Sequence, residues 1–123
     1  MFARILVSMT LTIFVQIVPA NARPLVSFDG VGPVSIGMSV EAIERALGAK
    51  LNPVDKLVFS EDCYITGRSD KLDQGIQYTI RDGRLTRIDV WQPSDVTAPL
   101  DAATSEGVGI NSAEADAKRI YGK

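Results

Sequence analysis

Few side chains in this sequence are able to do chemistry. Its 123 residues include one cysteine, Cys63, and no histidine. Without histidine the commonest general base and metal ligand is missing, and so is every Ser–His or Cys–His dyad. Cys63 follows Glu61 and Asp62. That is a poor setting for an activated thiol, which needs positive neighbours. Burial as a small apolar side chain is the expectation for Cys63, with an intermolecular disulfide as the other use of an unpaired cysteine. The remaining candidates are carboxylates. Glu61 and Asp62 are adjacent, and Asp70 and Asp73 share a polar loop, Gly67 to Gly75. Paired carboxylates do acid–base work only where a cleft shifts their pKa values, and no sequence feature marks one. Lys71 interrupts the Asp70/Asp73 pair, and the ligand series of a calcium loop is missing. Gly30-Val31-Gly32 lacks the third glycine and the lysine of a phosphate loop, so it reads as a turn. The expectation is a non-enzyme with no cofactor and no metal. A small carboxylate-based hydrolase or isomerase is the enzymatic alternative.

Contact chemistry is better represented. Trp91 is the sole tryptophan. It ends the last predicted strand, on the face opposite Ile88 and Val90. There it covers a sheet edge or lies under a later helix. If exposed together with Leu85, it becomes the best anchor for a partner. Arg81, Arg84 and Arg87 gather around the same hairpin, where charge protects a strand edge from aggregation. Trp91, Leu85 and Arg87 are thus the candidate partner contacts, and Cys63 is the candidate for an intermolecular disulfide.

The elements that must position these residues begin after an export signal. Arg4 supplies a positive start, Ile5 to Val18 is mostly apolar and uncharged, and Ala20-Asn21-Ala22 places small residues where a signal peptidase reads. The stretch is short for a membrane span. Cleavage is predicted between Ala22 and Arg23, and no cysteine sits there for a lipid anchor. Removing residues 1 to 22 from 123 leaves 101, one domain with a modest core. The signal carries Arg4 and no acid, so the net charge moves from −2 to −3. A mildly acidic domain lacks the basic footprint for nucleic acid, and scattered charge offers no anionic-membrane patch. With one cysteine no intramolecular disulfide is possible, so the core alone must stabilise the fold.

Ser39 to Leu47 reads as a helix. Ser39 caps it, Val40, Ile43 and Leu47 make one apolar stripe, and Gly48 stops it. Short strands are predicted at Leu25 to Phe28, Leu57 to Phe59 and Cys63 to Thr66. Ile76 to Ile80 alternates as a strand with one buried face, Asp82-Gly83 turns the chain, and Leu85 to Trp91 returns. A three-residue loop, Arg81-Asp82-Gly83, would set Ile76 opposite Ile88. It would place Ile76, Tyr78, Ile80, Ile88 and Val90 on one face, with Gly83 at positive φ. Asn111 to Tyr121 reads as a second helix, with Asn111 and Glu114 as a capping box. The organisation expected is a signal at 1–22, a helix-plus-meander unit at 23–93, and a loop with a second helix at 94–123. The fold class is α+β: one or two helices on one face of a small antiparallel three-stranded meander.

Gly37 to Gly48 can be laid over Asn111 to Gly122, matching Arg45 with Arg119, Leu47 with Tyr121 and Gly48 with Gly122. This reads as a degenerate repeat whose second copy lacks strands. In that reading the second helix completes the first unit's core, or the chain is a shortened two-unit protein. Ile36-Gly37-Met38-Ser39, Leu47-Gly48, Cys63-Tyr64, and Ile76 to Ile80 followed by Asp82-Gly83-Arg84-Leu85 resemble the small envelope domains of bacterial outer-membrane-assembly lipoproteins. In tandem, the unit is similar to the β-lactamase-inhibitory protein architecture and to uncharacterised exported bacterial proteins with a two-copy pattern. The resemblance spans about Gly30 to Trp91, with a weaker echo at Gly107 to Gly122. It implies a periplasmic or secreted module that binds a protein of the cell envelope. A small inhibitor of an extracellular enzyme is the alternative.

Overall fold

The computed structural model describes residues 23–95 and 100–122. The predicted export signal and its cleavage point lie outside these residues, except for Arg23. The chain forms a short hairpin, β1 (Gly30–Val31) and β2 (Val34–Ser35), then α1 (Val40–Leu47). An antiparallel meander follows: β3 (Cys63–Thr66), β4 (Ile76–Arg81) and β5 (Arg84–Val90), in the order β3-β4-β5. The last helix, α2, spans Glu114–Tyr121. The class is α+β, as the sequence implies.

Local chemistry sets α1. Ser39 Oγ accepts the N–H of Ala42 at 3.2 Å, and Glu41 lies in the first turn, where the helix dipole favours an anion. The apolar stripe buries Ile43 completely, while Val40 and Leu47 pack at the margin of the core. The approach to α1 is stapled to the sheet: Gly37 N–H donates to the Leu85 carbonyl at 2.8 Å, and Leu85 N–H donates to the Met38 carbonyl at 2.9 Å. Helix and sheet thereby share one core, built on Val34, Ile43, Tyr78, Ile80 and Leu85.

The β4–β5 register differs from the expectation. The turn has two residues, Asp82 at φ 49 and Gly83 at φ 74, so Ile80 stands directly opposite Leu85. Positive φ at both positions matches the twist of the flanking strands, and Gly83 adopts it without strain. A bulge then intervenes: Ile80 pairs with Leu85, but Thr79 pairs with Arg87. Thr86 is the extra residue. It returns Ile88 and Val90 to the face of Ile76, Tyr78 and Ile80 and lets Leu85 join them. The inward set is therefore the one expected, plus Leu85. It is reached by a bulge one step beyond the turn.

Three other expectations are corrected. Leu57 to Phe59 is a turn, because Asp55 takes the N–H groups of Val58 and Phe59 on its carbonyl and that of Leu57 on Oδ1. Leu25 to Phe28 makes only single bridges, Leu25 to Ala103 and Val26 to Val31. The second helix starts at Glu114, and its cap residue, Ala113, has no side-chain oxygen to offer. Asn111 forms no capping box, since Ser112 turns back and accepts the N–H of Gly109. The repeat alignment places this helix better than the capping pattern does: Ala113 and Ser39 occupy equivalent positions, as do Glu114–Tyr121 and Val40–Leu47.

Helix α2 buries no residue and does not complete the core. Its Tyr121 hydroxyl donates to Glu106 Oε2 at 2.6 Å and lies 2.7 Å from Thr104 Oγ1. That hydrogen bond holds the Tyr121 hydroxyl above the usual phenol range and the Glu106 carboxyl below the usual carboxylate range. The last packing comes from residues 100 to 103 instead. Leu100 packs on the core, Ala102 and Ala103 are buried, and Val26 N–H donates to the Ala103 carbonyl at 2.8 Å.

Candidate functional site

One end of the meander opens into a cleft of about 530 Å³, lined by Asn52, Ile65, Arg68, Gln77, Trp91 and Pro93 among others. Backbone bonds hold its walls. Asn52 N–H donates to the Gly67 carbonyl and Ser69 N–H to the Lys50 carbonyl, both at 2.9 Å, so residues 50–52 run alongside the continuation of β3. The buried Thr66 hydroxyl donates to the Asn52 carbonyl at 2.9 Å. Opposite, Trp91 N–H donates to the Gly75 carbonyl at 2.8 Å. Gly75 has φ 98, and a Cβ there would lie 2.2 Å from the Trp91 carbonyl oxygen. The approach that seats Trp91 therefore requires glycine.

Arg68 organises the charged wall. Its Nε and Nη2 donate to the two oxygens of Asp70 at 2.9 and 2.7 Å, and Nη1 donates to Asp73 Oδ2 at 3.0 Å. This fork holds the Asp70 carboxyl down at about 2, chiefly through the hydrogen bond, and raises the guanidinium. The Arg68 side chain is 14 % exposed. Asp70 and Asp73, which read as a solvated loop, are thus two arms of one clamp. The spacing Arg-x-Asp-x-x-Asp carries that signal, but only the loop's closure reveals it. Among the described residues no group of three or more His, Cys, Asp or Glu side chains is placed to hold a metal ion. Glu61 pairs with Lys56 at 2.6 Å.

The candidate contacts separate. Trp91 is 45 % exposed along the cleft. Leu85 is buried, 1 % exposed, because the two-residue turn sets it opposite Ile80 on the core face. Buried in the core, it offers no surface to a partner, contrary to the expectation from the sequence. Arg87 is exposed on the outer face and paired with Asp89 at 2.9 Å. Arg84 reaches the Gly37 carbonyl at 3.2 Å, so the three arginines do not form one patch. Cys63 is exposed, against the expectation of burial. It stands opposite Arg81 on the outer face of edge strand β3, and its neighbours Tyr64 and Thr66 take the inward positions.

What the arrangement offers is contact chemistry. An indole, three carboxamides (Asn52, Gln74 and Gln77) and charges of both signs border the space: Arg68 and Lys71 against Asp55, Asp73 and Asp95. Leu57, Val58 and Leu72 are exposed on the two loops that wall it. Their sequence neighbours Asp55, Lys71 and Asp73 line the cleft, and the three apolar side chains themselves do not. Isolated leucines and valines read as strand or core in the sequence, so their exposure is not legible there. Among the described residues no helix is long and apolar enough to cross a membrane. Comparison with protein-family models, with curated proteins and with solved structures yields no significant match.

Proposed function

We propose that this chain is an exported, non-catalytic interaction module of the bacterial cell envelope, and that the rim of the Trp91 cleft is where it meets a protein partner. The observation that carries the reading is the set of exposed apolar side chains, Leu57, Val58 and Leu72, on the loops around a half-exposed tryptophan. Tryptophan is enriched where binding energy concentrates, and exposed apolar side chains on the adjoining loops add surface that a partner would bury. The export signal and the resemblance to envelope domains support the location.

The test has two arms. N-terminal sequencing of the exported protein should begin at Arg23; an intact Met1 refutes export by this route. A photo-crosslinking side chain at position 72 should yield a discrete protein adduct in living cells. Trp91→Ala should abolish it, and a crosslinker at position 115 on α2 should not reproduce it. Absence of an adduct, or the same adduct from both positions, removes the cleft as the docking surface.

A further inference from the structure

The meander has two edges, and they are treated differently. The edge of β3 is blunted at both ends: residues 50–52 cover its continuation at 67–69, and Ser60 Oγ engages both the N–H and the carbonyl of Cys63. The edge of β5 is closed only at its start, where Leu85 bonds with Gly37 and Met38. Alternation then dictates the rest. Trp91 N–H points inward to Gly75, so Asp89 also points inward, and the N–H and C=O groups of Ile88 and Val90 face away from β4. No other described residue hydrogen-bonds to them. A free row of this kind is a template for another strand.

The side chains beside that row specify which strand. On the outer face Arg87 and Asp89 stand one residue to either side of Ile88, with opposite charge. Charges that only guard an edge need not be mirrored. These are mirrored about one residue, which is what a two-fold axis demands, since an isologous interface sets residue i against j and j against i. Two β5 strands running antiparallel and centred on Ile88 would bring Arg87 of each copy opposite Asp89 of the other. Ile88 would meet Ile88, and the two exchange both backbone hydrogen bonds. A shift of the centre to residue 89 would oppose Asp89 with Asp89, a like-charge pair that destabilises directly opposed strands. The charges therefore fit a second copy, and they favour the Ile88-centred register, which alone sets Arg87 opposite Asp89.

We infer that the partner of the open β5 edge is a second copy of this chain, joined as an antiparallel two-fold dimer centred on Ile88. The inference does not rest on the envelope-partner reading. It is tested on purified protein alone, kept reduced so that Cys63 cannot crosslink copies.

Sedimentation equilibrium should show a dimer at about 100 µM for the unaltered chain, the range expected of a small two-stranded contact. Arg87→Asp and Asp89→Arg each oppose like charges and should weaken association at least about tenfold. The double variant R87D/D89R restores the complementarity and should recover the dimer. Both positions are on the surface, so circular dichroism should be unchanged in all four proteins. A monomer at that concentration overturns the inference. So does a dimer that tolerates the single reversals, or one that the double reversal fails to restore.

Discussion

Thr86 Oγ1 donates to the carbonyl of Thr79 at 3.2 Å, at the point where two residues of β5 face one of β4. The extra residue decides which side chains reach the core. Were Thr86 paired regularly with Thr79 after the same two-residue turn, Leu85 would still face inward but Ile88 would face outward.

Deletion of Thr86 is therefore an instructive change. It joins Leu85 to Arg87 with strict alternation, leaving Leu85, Ile88 and Val90 all inward. The protein should fold with a loss of about 1 kcal/mol or less, the scale of the one hydrogen bond removed. Insertion of an alanine between Arg87 and Ile88 should do the opposite, turning Ile88 and Val90 to solvent at a cost of about 2 kcal/mol or more. Urea unfolding of both variants checks this. Equal losses would show that the bulge does not set the faces.

The Arg68–Asp70 fork makes stability depend on acid. The Asp70 carboxyl sits near 2 in the fold, below its ordinary 3.8. The contribution is therefore complete above the ordinary value and is lost as pH falls from there through about 2. Asp70→Asn should lower the melting temperature by a few degrees at neutral pH, a modest effect because the pair is partly solvated. The gap between the two proteins should close as the pH falls toward 2. A gap that stays constant over that range would detach the effect from the charge.

Tyr78 predicts the alkaline limit. Burial pushes its hydroxyl up from 10.0 to about 12. The neutral form is the one the fold accommodates, so its contribution is intact below pH 10 and is lost as pH rises toward 12. Ultraviolet titration should show Tyr78 ionising with unfolding rather than before it. Tyr78→Phe should move the alkaline unfolding midpoint upward; an unchanged midpoint would assign alkaline unfolding to another group.

Exposed Cys63 should react with a thiol reagent in the native protein at nearly the rate seen in denaturant. Cys63→Ser should cost less than about 0.5 kcal/mol, as surface changes do. Slow labelling that tracks global unfolding would return this residue to the core.

What the sequence makes legible is local. The α1 cap and stop, the alternation in β4 and the Asp82–Gly83 turn are each decided by a few adjacent residues, and each was readable. The bulge was not, because a two-residue turn with an extra residue and a three-residue loop without one place Ile88 and Val90 on the same face. They differ at Leu85, and there the reading failed. Cys63 and the Arg68 clamp failed for another reason: their surroundings come from residues 50–52 and from the choice of edge strand, neither of which has a signature beside them in the chain. Of the candidate site, Trp91 was legible as a residue type. The cleft around it depends on Gly75 and on the pairing of 50–52 with 67–69.

The bridge between Leu25 and Ala103 spans most of the described chain. Meander and helix contacts are near in sequence and close small loops, whereas this one must wait for a far segment, and loop closure slows as the separation grows. Residues 24–26 are thus among the first of the described chain to be made, and their long-range pairing is completed last. Until residue 103 arrives, the opening segment holds only its local contacts, Gly32 N–H on the Leu25 carbonyl and the Val26–Val31 bridge. A nascent chain stalled short of it would hold a formed meander with a loose leading end.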